Sequence, residues 1–375
     1  MKLVTASLAT LFALIPAVHA VPTHQFDHFF PGWNERVQEI LNGTCAEPYA
    51  VYLTGNVNQT EGKQSIVNPV IDCVLEAFPE SRKAELATGA LVLGLIPTIL
   101  QTIGSSTAET ALVGLRRPLL GFLISAGSPA VSMMKTNDFA GSIVEFVERG
   151  DTRDFGMGKL RWSAGRAKWA FLISLMEYVA VGGAVANVLH LAWNLGIYAI
   201  AIFAPDTIFG VPLWTLGAAL IHLAGLLALW VRVRMRIVDS RNGDDYSART
   251  KPLNTWIPHQ LIPAVFQPAM KLELRQGGAN TFWFYTLTWI ISVGIVAQVA
   301  FGTLVLSGLL FFSLADCLVI VGRYTFSAVV CRAVVRLELS GMTAAMVPAN
   351  SKGGNEAIEP EQIVLTTWKG QPQDM

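Results

Sequence analysis

Glu177, His222 and Asp316 each sit inside a long apolar stretch of the chain. An ionisable group at the centre of a membrane helix costs about 2.5–3.5 kcal/mol on insertion scales, so such groups pair or serve a site. Depth can be counted from the nearest basic flank at about 1.5 Å per helical residue. Glu177 is nine residues from Lys168, about 14 Å in, and His222 is ten from Arg232, about 15 Å in. Asp316 is seven from Arg323, about 10 Å in. Two carboxyls and an imidazole at similar depth on three helices predict a proton relay, a cation site or an acid–base pair. Tyr178 and Gln298 are close companions; Asn187, His190 and Asn194 lie nearer the opposite surface. The competing reading is structural: each acid is buried in neutral form or paired with His222.

The elements that would carry these groups follow from hydropathy. The chain is 52% hydrophobic and 14% charged, against about 25% charged in an average soluble domain. At about 20 apolar residues per crossing, five spans are predicted: Ala84–Gly104, Trp169–Leu191, Val211–Val231, Thr281–Phe301 and Thr303–Val321. Pro97 predicts a kink in the first, and Gly302 a tight hairpin turn between the last two. Of 27 Lys and Arg residues, 22 fall in segments 105–168, 232–280 and 322–375. Basic residues in short loops stay on the cytoplasmic side, so the amino end is expected outside and the carboxyl end in the cytoplasm.

Two apolar segments fail this charge rule as spans. Pro118–Val131 is short and interrupted by Gly121, Gly127 and Pro129, and reads as interfacial or re-entrant. Gly196–Ala204 reads as a tilted extension or interfacial piece. Asp138–Arg149 carries apolar residues at helical spacing and predicts an amphipathic surface helix. Pro252–Pro268 is too proline-broken for a long helix. Arg116-Arg117 and the Arg332, Arg336 pair read as snorkelling anchors toward anionic headgroups. The tail 336–375 is expected to be loosely ordered.

Residues 1–20 have the form of a signal peptide cleaved after Ala20. Residues 21–83 then form a small luminal or extracellular domain with two glycosylation acceptors, Asn42 and Asn58. Cys45 and Cys73 in the same segment predict a disulfide, contributing about 3–4 kcal/mol by loop-closure entropy. A domain this small buries too little core to do without it. Cys317 and Cys331 read as reduced packing residues. His24 and His28 have an i,i+4 spacing that suits zinc, yet no further ligand stands nearby, so no metal or cofactor is expected.

No Walker loop, Gly-x-Ser-x-Gly turn or His-Glu-x-x-His motif occurs, and the zero net charge gives no reason to expect nucleic acid. Cys73-Val-Leu-Glu-Ala-Phe-Pro-Glu, Leu115-Arg-Arg-Pro-Leu-Leu and Ser125-Ala-Gly-Ser-Pro-Ala-Val resemble filamentous-fungal multi-pass membrane proteins without assigned function. The resemblance spans roughly residues 40–340. It implies a fungal secretory-pathway membrane and adds no catalytic residue.

The expected fold is all-α: a five-span transmembrane bundle (84–335) with a disulfide-closed ectodomain. The expected role is non-enzymatic ligand or partner binding, or sensing, in the secretory pathway or plasma membrane. Membrane lipid is one partner, and a protein or small-molecule ligand at the ectodomain another. The alternative is an intramembrane enzyme or carrier of a lipid or secondary metabolite, using Glu177, His222 and Asp316.

Overall fold

A computed structural model describes residues 25–54, 66–132, 169–205, 207–237, 260–266, 270–274 and 278–345. The leader, Asn58, His24, the 138–149 segment and the chain beyond 345 lie outside the described residues.

The described residues of the N-terminal domain form three short helices: α1 (Pro31–Asn42), α2 (Ala46–Thr54) and α3 (Asn68–Ala77). Pro31 pre-sets the first turn of α1, and Trp33, Val37, Ile40 and Leu41 form its buried face at helical spacing. The Cys45–Cys73 disulfide joins the α1–α2 turn to α3 across a Cα separation of 5.9 Å. Trp33 packs edge-on to Phe78, and Arg82 stacks over its ring at 5.4 Å.

Among the described residues, five helices are long and apolar enough to cross a membrane: Glu80–Ile103, Ala170–Ile197, Gly210–Arg232, Phe282–Ser307 and Leu314–Met342. Only 28% to 39% of their apolar windows is buried within the protein. The remainder presents side chains such as Phe171, Met176, Trp193, Leu220, Trp289 and Phe326 outward. An apolar exterior of this extent belongs against lipid, not water. The chain is an integral, multi-pass membrane protein.

The first crossing is two helices, α4 (Glu80–Gly94) and α5 (Ile96–Ile103). They break at Leu95, because Pro97 has no N–H to offer the Leu93 carbonyl one turn back. There follow α6 (Thr107–Arg116) and α7 (Pro118–Gly127). A Ser106/Glu109 capping box starts α6, and Pro118 starts α7. The pair is a helical hairpin closed at its base, where Ser132 N–H donates to the Ser105 carbonyl at 3.3 Å and Gly104 abuts Ala130. Arg117 forms the tip.

The long helices are α8 (Ala170–Ile197), α9 (Gly210–Arg232), α10 (Gly278–Ser307) and α11 (Leu314–Ala345). The α7 helix runs beside two of them. Its start at Arg117 meets Glu177 and Glu338, and its end at Gly127 meets Val185 and Cys331. It is therefore parallel to α8 and antiparallel to α11. Segment 118–131 packs within the bundle: Leu120, Gly121 and Ile124 are buried, Gly121 against Gly114 of α6.

A two-stranded antiparallel ribbon prolongs α9 and α10. Its strands β1 (Val233–Ile237) and β2 (Met270–Leu274) pair from Val233↔Leu274 to Ile237↔Met270. It is a small addition to an otherwise helical fold. Segment 196–204 forms no helix of its own: α8 ends at Ile197, Ala201 bridges Leu309, and Ile202 N–H donates to the Gly308 carbonyl.

Two expectations are corrected. The turn predicted at Gly302 is absent, since α10 runs through that residue to Ser307 and the last helix begins at Leu314. Gly302 is a crossing point. A Cβ there would run into Trp214 Nε1 and stand 2.8 Å from Pro97 Cγ. Gly302→Ala is thus expected to destabilise the protein by about 1–3 kcal/mol through overpacking, despite alanine's better helix propensity. Thermal unfolding in detergent checks this, and unchanged stability would show slack at the crossing. The second correction concerns the tail, because α11 stays helical to Ala345, beyond the boundary expected at 335.

Candidate functional site

The structure separates Glu177, His222 and Asp316. Asp316 is at the first turn of α11, under the N-terminal domain. Its carboxylate accepts from Ser313 Oγ at 2.7 Å and Ser313 N–H at 3.4 Å. The Asp316 N–H donates back to Ser313 Oγ at 3.1 Å, completing a capping-box pattern. The same carboxylate accepts from Gly32 N–H at 3.1 Å in the first turn of α1. One side chain thus caps a domain helix and a membrane helix together. The depth count failed here because it took Arg323 as the inner flank, whereas Arg323 is nine residues along the last span.

His222 lies in α9, 1% exposed. Its Nε2 donates to the Ala130 carbonyl at 3.1 Å, tying the base of the α6–α7 hairpin to the bundle. A carbonyl can only accept, so the proton sits on Nε2. Nδ1 has no partner among the described residues.

Glu177 lies at the end of the bundle away from the N-terminal domain, in a buried charge cluster. Arg117 Nη1 donates to Glu177 Oε2 and, at 2.7 Å, to Glu338 Oε1. Its Nη2 donates to Ser174 Oγ at 2.6 Å, and its Nε to the Gln260 carbonyl at 3.1 Å. The guanidinium carbon stands 5.2 Å from the Tyr178 ring centroid. Segment 260–266 closes over the cluster. Ala264 N–H donates to both Glu338 oxygens at 3.3 Å, and Tyr178 Oη donates to the Gln260 carbonyl at 3.2 Å. Arg117, Glu177 and Glu338 are 0%, 4% and 2% exposed. Arg116, also buried, places its charge against Glu338, so two cations offset two carboxylates.

Asp316 and Glu338 are 22 residues apart on α11, about 33 Å along the axis. Glu177, which shares Arg117 with Glu338, is therefore far from Asp316, and the three candidates line no common cavity. Arg117 is not a snorkelling anchor, because its head group is sealed among protein partners. Arg332 is not one either. Its Nη1 donates to the carbonyls of Thr102, Ile103 and Gly104 at 3.4, 2.5 and 2.8 Å, capping the C-terminus of α5.

A second polar cluster lies within the apolar span. Asn187, His190 and Asn194 form a stripe on α8, and Arg323 on α11 meets it. Arg323 Nε donates to Asn187 Oδ1 at 2.8 Å. Its Nη2 reaches His190 Nδ1 at 3.2 Å. Asn187 Nδ2 donates to the Arg323 carbonyl at 3.0 Å and to Ser327 Oγ at 2.8 Å. Gln298 stands apart, its Nε2 donating to the Trp214 carbonyl at 2.5 Å. Reading along the sequence missed Arg323 as a site residue. The signal was the i, i+3, i+7 stripe on α8 facing one basic residue.

Among the described residues, no group of three His, Cys, Asp or Glu side chains could hold a metal. His28 packs edge-on to Tyr198 at 6.0 Å. Asn42 is exposed at the end of α1. Fold and clusters together define a multi-pass helical membrane protein with a disulfide-closed N-terminal domain seated on the bundle. Comparison with family models, curated proteins and solved structures returns no match to the chain.

Proposed function

We propose that this is a non-enzymatic membrane protein that binds a partner or ligand at its N-terminal domain and senses it through the bundle. The observation that carries this reading is the seat of that domain. Asp316 bonds Gly32 of α1, and Phe311 and Ile200, from connections between the spans, are buried in the domain's own cluster with Phe29, Tyr52 and Val74. Phe29 and Phe311 meet edge-on at 5.8 Å. In this reading a change in the domain is passed to the start of the last span through these contacts. The enzyme or carrier reading loses its geometric support, because its three residues do not converge.

The orientation in this reading places the N-terminal domain outside and the carboxyl end in the cytoplasm, supported by the basic loops and the two acceptor sites. Glycosidase sensitivity that disappears on substituting Asn42 and Asn58 checks it. The binding reading is tested on the full chain in native membranes by photo-crosslinkers at the exposed Val51 and Leu53 of α2. Discrete adducts that vanish when Asp316→Ala loosens the seat are expected. In the same variant, exchange of the first-turn amides of α1 should rise roughly tenfold, the scale of one lost cap. A lipid or small-molecule pool that changes on gene deletion, restored by the wild type but not by Glu177→Gln, would overturn the reading in favour of an enzyme or carrier.

A further inference from the structure

We infer that the groove between α8 and α11 is a lateral binding site for a single-chain anionic lipid, whose acid group is held by Arg323. The groove is about 410 Å³ and is lined by Gly183, Asn187, Gly322, Arg323, Phe326 and Ser327. That volume is at the low end of small-molecule sites, with room for one acyl chain. Two glycines widen it: a Cβ at Gly183 or Gly322 would meet nothing within 4 Å. The surrounding surface is apolar and outward-facing, with Val319 at 61%, Phe326 at 69% and Leu189 at 58% exposure. An occupant therefore enters from the bilayer.

Charge says what kind of occupant. Arg323 is nine residues into the last span, about 14 Å along its axis. No carboxylate among the described residues lies within ion-pair distance of it. Its partners are neutral. His190 Nδ1 lies 3.2 Å from Arg323 Nη2 and 3.4 Å from Asn194 Nδ2, and it accepts from the guanidinium, which can only donate. Arg323 Nη1 makes no hydrogen bond among the described residues. By contrast, Arg117 meets two carboxylates and Arg332 three helix-end carbonyls. A guanidinium held by neutral groups in an apolar wall, with donors left over, suits a carboxylate or phosphate bidentately. The glycine-widened groove beside it suits the attached chain.

The test uses full-length protein in phosphatidylcholine nanodiscs, titrated with oleate or lysophosphatidic acid and followed by native mass spectrometry. One saturable equivalent per chain is expected. Arg323→Gln should weaken it at least tenfold. Gly322→Leu, which fills the groove and keeps the charge, should do the same. Both variants should melt within a few degrees of the wild type, since neither position carries the core. Binding that survives both substitutions overturns the site. Loss in Arg323→Gln but not in Gly322→Leu reduces it to an ordinary headgroup contact, which also overturns it. Competition by inorganic phosphate at equal concentration would show a water-fed anion site, not a lipid groove.

Discussion

Arg117→Ala is expected to cost about 3–5 kcal/mol and to unfold the bundle first at the end away from the N-terminal domain. Breaking one partner of a buried ion cluster leaves the others desolvated and unpaired. Here two carboxyls, Glu177 and Glu338, would lose the one guanidinium that bonds both. Ser174 Oγ and the Gln260 carbonyl would lose their donor as well. Arg116 cannot replace it, because its backbone belongs to the last turn of α6 and not to the tip. Arg117→Lys should recover only part of the loss, since an ammonium has no planar fork for four separate acceptors. The combination Arg117→Met with Glu177→Gln and Glu338→Gln should recover most of it, as apolar or neutral replacement of a buried ion set often does. Denaturant unfolding in micelles measures all three. A loss below about 1 kcal/mol for the alanine variant would mean the cluster is hydrated in solution.

Cys45→Ser is expected to remove about 3–4 kcal/mol from the N-terminal domain, given a closed loop of 28 residues. The effect should be local at first. The bundle helices are held by their own buried clusters, against which the N-terminal domain packs Phe30 at its edge. Limited proteolysis should therefore cut between α1 and α3 while the spans stay intact, and reductant should reproduce the substitution in the wild type. As the domain loosens, Phe311 and Ile200 lose their cover, so the α10–α11 connection should become labile second. Identical melting with and without reductant would contradict this account.

Much of this architecture was readable from the chain because hydropathy and covalent chemistry act locally. Four spans, the Pro97 break and the Cys45–Cys73 pair follow from runs, a missing N–H and a compartment argument. The failures share one cause. Gly302 was read as a turn, yet it is a glycine because Trp214 and Pro97 approach it from other helices. The real turn carried its own mark, Ser313 and Asp316 as a capping box, which hydropathy does not see. Misplacing that boundary put Asp316 in mid-membrane. Arg117 reads as a surface charge because a basic residue at a span's edge usually is one. Its burial depends on partners 57 to 221 residues away, which no local pattern reports.

That long reach also sets a timetable for biogenesis. Arg117 bonds Glu177, Gln260 and Glu338 at sequence separations of 60, 143 and 221. At about 5–20 residues per second of synthesis, roughly 10–45 s pass between the emergence of Arg117 and that of Glu338. For that interval the α6–α7 hairpin has its charged tip and no carboxylate to receive it from the last helix. The cluster around Arg117 can close fully only after α11 has been made, so a nascent chain stalled before Glu338 would display Arg116 and Arg117 as an unfinished edge to insertion and quality-control machinery.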